Sequence, residues 1–442
     1  MSCFNLRTPL INLVLTVSLL QSSCRYSPTI YVESFRKKGL SDDQVIQKAI
    51  NAADQGGMIV FQPERVYTVT NTIFVKKFQV LVGNNATLLR SDQSFTTLRS
   101  AVEATDSMLH CQTIPKDWVV GDQVQLLTDS TAAHSNSFAD LARLPNIITK
   151  IDGNSIVLSS QTGASIDGTI RTWPEGTTVR KVYTLLRGDS IAFRSAPFQV
   201  RNINFDGNKQ HNNLNYYWNV NASIFMRGSG AKIEDCRFFN IPNENIVGQG
   251  ILITNCQAYN LNGSFVHLSG IDTILQWPQK HSFISGNYVD GVCQIPDSIT
   301  KHSEGAITTS FNGGFASIIG NRVYNSGESA IGLIEYHIDT ADGGKSDLII
   351  MGNLFENCKK IVFGINPVPK NAFPSKNISI TNNIFSNCGD NDWSKFDFLE
   401  SYSGLMIANN NLTDGTVWDL PEKKPGARTV RGKLSRKKTP IH

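Results

Sequence analysis

Asn321-Arg-Val-Tyr-Asn325, Asn353-Leu-Phe-Glu-Asn357, Asn383-Ile-Phe-Ser-Asn387 and Asn410-Asn-Leu-Thr-Asp414 are copies of one pattern. An asparagine opens each copy, an apolar residue sits at its centre, and an asparagine or aspartate closes it. Looser copies occur at Asp235 to Asn240, Asn255 to Asn260 and Asn287 to Asp290, with a period running from 20 to 34 residues. A unit this short cannot bury its own apolar face and must stack on its neighbours, so the copies share one continuous core. Leucine-rich repeats have a similar length, but regular leucine spacing and a helical half are both missing here. The pattern therefore predicts an all-β solenoid, a right-handed parallel β-helix. Stacking at about 4.8 Å sets equivalent residues above one another, where side-chain amides can bond in ladders along the turns. This gives the asparagines a structural role. Cys358 and Cys388 each follow a closing asparagine, and Cys236 and Cys256 hold matching places. They read as buried stacked thiols, with a bridged pair as the open alternative.

Upstream of the repeats, Ser41-Asp42-Asp43-Gln44 has the form of a helix N-cap with a glutamine three positions on. Val45, Ile46, Ala49, Ile50 and Ala53 follow on one face. Gly56-Gly57 ends this helix, and short apolar strands begin at Met58. A solenoid needs its end covered, and the helix is placed to do that. Between Trp118 and Tyr183 the rhythm changes to antiparallel hairpins, one of them around Asp152-Gly153-Asn154. Trp173-Pro-Glu-Gly176 reads there as a turn, with a sugar-stacking loop as the alternative. The organisation expected is an export signal over 1–24, a cap with the first coils over 25–106, an inserted β module over 107–186, β-helix coils over 187–418 and a basic tail over 419–442.

The formal net charge of +4 is concentrated at the end of the chain, where residues 422–442 hold eight Lys or Arg against Glu422 alone. Without that tail and Arg7 the body carries about four net negative charges, which excludes a phosphate-backbone footprint and hence a nucleic-acid partner. Arg7, the apolar stretch Leu10 to Leu20 and Gln21-Ser-Ser-Cys24 have the layout of an export signal, too short to cross a bilayer. Cys24 stands where a bacterial lipoprotein carries its lipidated cysteine. Lipid anchoring there and plain secretion both remain open, and such an anchor is the one membrane association expected. The product is thus secreted, periplasmic or held at the cell surface.

The capping helix, the Gly-Gly-strand-Pro63 opening and the asparagine-turn coils together resemble the pectate-lyase-like β-helix superfamily, of the rhamnogalacturonase and glycoside-hydrolase-28-related type. The likeness spans about residues 30–415, with the usual Asp-Gly-x-x-Asp-Asp lead-in reduced to Leu40-Ser-Asp-Asp43. It implies a groove that cleaves or epimerises a polysaccharide. The family's catalytic motifs do not carry over. The polygalacturonase set Asn-Thr-Asp, Asp-Asp, Gly-His-Gly and Arg-Ile-Lys is missing, as are the epimerase Asp-Pro-His and the pectate-lyase arginine loop with its calcium carboxylates.

Candidate chemistry therefore falls to titratable residues recurring in register. Glu304 to Gly314 and Glu335 to Gly344 both run from a glutamate to a Gly-Gly turn, an alignment that makes Glu304 and Glu335 neighbours across one coil step. Carboxylates about 5 Å apart suit a retaining glycosidase or a shared metal site. Anchoring on the preceding asparagine turn pairs Glu304 with Glu328 instead. His267, His302 and His337 fall near one register, with Lys301, Asp272 and Asp339 nearby, and a histidine or lysine there could remove the C5 proton of a uronic acid. The alternative is satisfied polar residues at loop mouths. Tyr217 and Trp218 in a polar loop, and Trp277 in Gln276-Trp-Pro-Gln279, are candidates for stacking on sugar rings, against ordinary loop packing. No Walker or Rossmann glycine motif and no tight Cys/His spacing occurs, so no cofactor is expected and calcium alone stays open. The reading is a polysaccharide-active enzyme, with glycoside hydrolysis first and lyase or epimerase chemistry second. A non-catalytic glycan-binding solenoid is the alternative from another class.

Overall fold

The structure, a computed structural model, describes residues 28–53, 56–127, 146–162, 172–188, 197–212, 222–226, 231–248, 250–269, 281–294, 305–310, 316–334, 346–365, 376–389, 406–412 and 417–418. It is a right-handed parallel β-helix. Each coil crosses three ribbons of stacked parallel strands. The first ribbon includes Lys232–Glu234, Leu252–Thr254, Ser282–Ser285, Ala316–Ile319, Ser346–Met351, Lys376–Thr381 and Met406–Ala408. The second includes Arg237–Phe239, Gln257–Tyr259, Tyr288–Val292, Arg322–Ser326, Leu354–Glu356 and Ile384–Ser386. The third runs from Ile73–Val75 through Leu186–Gly188, Ile224–Met226, Ile246–Gly248, Val266–Ser269, Gly305–Ser310 and Ser329–Ile334 to Lys360–Ile365. Val80–Arg90 and Gln199–Asp206 each serve the first two ribbons in a single bent strand.

Strand alternation sends every second residue into one shared core. On the first ribbon that column is Ile233, Ile253, Ile284, Ile318, Ile350, Ile380 and Ile407, each opposite the next and all buried. β-Branched side chains suit such a column, because their restricted χ1 costs little on a pleated surface. On the second ribbon Phe205 stacks on Phe238 at 4.8 Å between ring centroids, and Phe355 on Phe385 at 5.2 Å.

The turn between the first two ribbons explains the repeated asparagines. Asp235, Asn255, Asn382 and Asn409 hold it with φ between 54° and 56°, and Gly286, Gly320 and Gly352 with φ of 65–66°. Asn and Asp tolerate this left-handed conformation better than other residues with a side chain, and glycine takes it without strain. The next residue points inward, giving the buried column Asn287, Asn321, Asn353, Asn383 and Asn410. Each of the first four donates its amide to the next at 2.8–3.0 Å. Their backbone N–H groups donate to the same acceptors. A second ladder runs on the outside through Asp290, Asn325, Asn357 and Asn387. The step between stacked asparagines is 20 residues from Asn240 to Asn260 and 34 from Asn287 to Asn321. The varying loops, and not the turns, absorb that difference.

Helix α1, Asp42–Ala52, covers the N-terminal end. Gln44 accepts the Ser41 backbone N–H at 3.2 Å, and Val45, Ile46, Ala49 and Ile50 are buried. The helix also caps strand edges chemically. Gln47 accepts from the Phe74 N–H at 2.8 Å and donates to the Phe74 carbonyl at 3.0 Å, while Asp42 accepts from the Thr68 N–H at 2.8 Å. An open edge that would otherwise recruit another strand is thus closed by side chains.

The inserted module opens at Phe95–Thr97, ahead of residue 107, the bound expected for it, and of Trp118, where the sequence rhythm changes. That strand pairs with Thr178–Val182, far along the chain, so local alternation does not mark it. Antiparallel pairs Gln123–Leu127 with Thr178–Val182, and Ile148–Asp152 with Ser155–Leu158, complete it around a core of its own. Trp173 is fully buried in that core, so Trp173 to Gly176 is a turn with a structural anchor and not a sugar-stacking loop. At the neck of the module the Arg90 guanidinium lies 4.6 Å from the centroid of the Tyr183 ring and donates to the Tyr183 carbonyl at 2.7 Å. Tyr183 donates back to the Val69 carbonyl at 2.7 Å, tying both ends of the insertion to the coils.

All six described cysteines are free thiols. Cys256 stacks on Cys236, and burial together with the neighbouring sulfur pushes its thiol well up. Cys388 stacks on Cys358 in the same way.

Candidate active site on the third ribbon

Outward positions of the third ribbon run Arg187, Phe225, Val247, His267, Thr308 and Gly332, each opposite the next. His267 points away from the core because its neighbours Val266 and Leu268 point into it. The outer face is nonetheless covered, and His267 is only 3% exposed. Its Nδ1 lies 2.7 Å from Oε1 of Glu244, itself 2% exposed, in the turn that leads into the preceding strand of the ribbon. Were Nδ1 to donate to that carboxylate from a neutral ring, Nε2 would be the accepting nitrogen, the tautomer a general base requires.

Glu244 is held from above. A Cβ on Gly263, one coil on, would come within 2.8 Å of the Glu244 backbone nitrogen and 3.0 Å of the Asn243 carbonyl carbon, so the close approach of these two turns needs glycine. Beside the pair, Glu244 Oε2, both amide atoms of Asn245 and Ser223 Oγ are buried with no hydrogen-bond partner among the described residues. Each such group costs on the order of 1–3 kcal/mol. The cluster of such groups next to the imidazole makes this the candidate site.

Of the residues singled out in the sequence, His267 lies in this site. Glu304, Glu335, His302, His337, Lys301, Asp272, Asp339, Tyr217, Trp218, Trp277 and Cys24 lie outside the described residues. The described register qualifies two of the expectations. Gly305 stands opposite Ser329, an offset of 24 residues, which is the spacing of Glu304 from Glu328 and not that of Glu304 from Glu335. His267 stands opposite Thr308 and Val247, so no column of histidines runs through it in the sheet. Glu328 is buried and 3.5 Å from Lys359 on the next coil, a structural tie. Glu244 escaped sequence reading. The clue was its place in Ile241-Pro-Asn-Glu-Asn-Ile246, an acid between apolar positions, opposite Asn262-Gly-Ser264 once Asn240 is aligned with Asn260.

Among the described residues no group of three His, Cys, Asp or Glu could hold a metal ion, and no helix is long and apolar enough to cross a membrane. No family model and no curated protein matches the chain. Solved structures are similar to it at low identity. The mannuronan C-5 epimerase A-module of Azotobacter vinelandii is 11% identical over 88% of this chain and 83% of that one, with a TM-score of 0.38. The hyperthermoactive exopolygalacturonase of Thermotoga maritima is 11% identical over 89% and 94%, with a TM-score of 0.42. Gene product 12 of bacteriophage phi29 is 11% identical over 91% and 43%, with a TM-score of 0.48. At these values the likenesses carry no argument about activity, and the fold rests on the strand pairing above.

Proposed function

We propose that this is an exported polysaccharide-active protein that abstracts the C5 proton of a uronic-acid unit, as a lyase or an epimerase. The observation that supports this best is the Glu244–His267 pair on the outward column of the third ribbon. Glu244 would orient the ring and stabilise the imidazolium, and His267 Nε2 would take the proton. The electron pair left on C5 would be held as an enolate by the uronate carboxylate. In elimination it forms the C4–C5 double bond as the bond to O4 breaks, and the imidazolium returns its proton to O4. In epimerisation a water on the opposite face delivers a proton to C5, and the imidazolium and the hydroxide left behind are neutralised through solvent. Export through residues 1–24, with Cys24 as the lipid attachment point, belongs to the same proposal.

The depth of the pair favours a second reading, in which Glu244 and His267 simply link two coils. One experiment separates the readings. The protein and its His267→Gln and Glu244→Gln variants are incubated with polygalacturonate, alginate and xylan, following reducing ends, unsaturated-product absorbance and C5 configuration by NMR. Absorbance or inversion lost in both variants at unchanged melting temperature supports proton abstraction. Reducing ends without absorbance, lost in Glu304→Gln and Glu335→Gln, establishes hydrolysis instead. Silence on every polymer overturns catalysis in favour of a binding solenoid.

A further inference from the structure

The second ribbon carries an outward aromatic strip that the third-ribbon chemistry does not use. Tyr259, Tyr288 and Tyr324 sit on three successive coils, and their in-chain neighbours Ala258, Val289 and Val323 fill the core, so the rings face out. Tyr259 stands opposite Asp290, which stands opposite Tyr324, whereas Tyr288 lies between Gln257 and Arg322. The three rings thus zigzag along the solenoid axis, with centroids 5.7 Å and then 5.3 Å apart and planes tilted by 41° and 35°. None is buried, and Tyr259 is 38% exposed.

The fold does not need tyrosine at these places. Outward positions of a solvated strand are satisfied by small polar or β-branched residues, so a row of three aromatic rings, one exposed and two half-buried, is the informative exception. Gln257, Asp290 and Arg322 lie among the rings and supply planar hydrogen-bonding groups of both signs. Apolar ring faces interleaved with planar polar groups match a sugar, which has a C–H face and a rim of hydroxyls. A row of rings along the solenoid axis suits a linear polymer lying along it. Nucleic acid would also stack on the rings, but the body carries net negative charge and the strip balances Arg322 with Asp290.

We infer that Tyr259, Tyr288 and Tyr324 form a glycan-binding strip, separate from the third-ribbon site, that holds a polysaccharide chain along the helix axis. This rests on the polysaccharide reading of the protein. The test is affinity electrophoresis of the full chain in native gels containing polygalacturonate, alginate or xylan. Variants are the triple Tyr→Thr substitution, in which threonine keeps strand propensity, the triple Tyr→Trp substitution, and His267→Gln. At least one polymer should retard the protein, Tyr→Thr should weaken that binding about tenfold or more, and Tyr→Trp should retain it. His267→Gln should bind like the parent, so loss of product with retained retardation separates the two sites. Equal retardation of parent and Tyr→Thr protein, or none with any polymer, overturns the strip. A lowered melting temperature in Tyr→Thr without loss of binding does so too, because the tyrosines then serve the fold.

Discussion

Replacing Asn353 by alanine tests the buried ladder most directly. Its side chain makes four hydrogen bonds. It donates to the Ile318 carbonyl and to Asn383 Oδ1, both at 2.9 Å, and accepts from the Asn321 backbone N–H at 2.9 Å and the Asn321 amide at 3.0 Å. Alanine orphans the Asn321 N–H and one Asn321 amide proton, and removes a donor from the Ile318 carbonyl, at a place water does not reach. At about 1–3 kcal/mol for each of the two orphaned donors the loss is roughly 2–6 kcal/mol, a large share of the stability of an ordinary domain. The control is Asn357→Gly in the outer ladder. It forfeits exposed bonds to Asn325 and Asn387 but keeps the φ of 55° free of strain, so its cost is below about 1 kcal/mol. Urea unfolding followed by circular dichroism, with hydrogen exchange to locate the opened coils, reads both variants. If Asn353→Ala costs no more than Asn357→Gly, burial does not make the inner ladder special and the reasoning fails.

His267→Gln should lower turnover at least about a hundredfold on the responsive polymer, while the melting temperature moves by only a few degrees. Gln47→Ala removes both bonds to Phe74 and uncovers the first strand of the third ribbon, so it should cost about 1–3 kcal/mol and promote concentration-dependent association on size-exclusion chromatography. Burial pushes the Cys111 thiol up to about 11 from an ordinary value of 9.0. Its folded value is thus the higher one, and the stability it contributes is complete below the ordinary value and lost as pH climbs from 9.0 towards 11. Cys111→Ala should flatten that part of the stability-against-pH curve, and an unchanged slope would show that the thiol is not what titrates.

Left-handed turn residues, the apolar residue at the centre of each copy and the helix cap are each set within a few neighbouring positions. For that reason Asn321, Asn353 and Asn383, together with Ser41 to Ala53, are legible in the sequence as turns and a cap. Register across coils is not local. Because the loops between strands vary so much in length, a residue's vertical neighbour cannot be counted from sequence alone. The Gly-Gly anchor pairs Glu304 with Glu335 and the asparagine anchor pairs it with Glu328, and of the described residues Gly305 stands opposite Ser329, an offset that the asparagine anchor carries. The opening strand of the inserted module, Phe95–Thr97, has its partner at Thr178–Val182 and no local sign of it. The union of Glu244 with His267 likewise depends on two turns brought together at a glycine. The sequence by itself determined that the chain winds into stacked coils and which residues turn them, since those choices are made by backbone conformation and nearest-neighbour packing. Which side chains meet across the coils, and hence where chemistry can occur, was decided by the tertiary structure, because only loop lengths and close packing set the register.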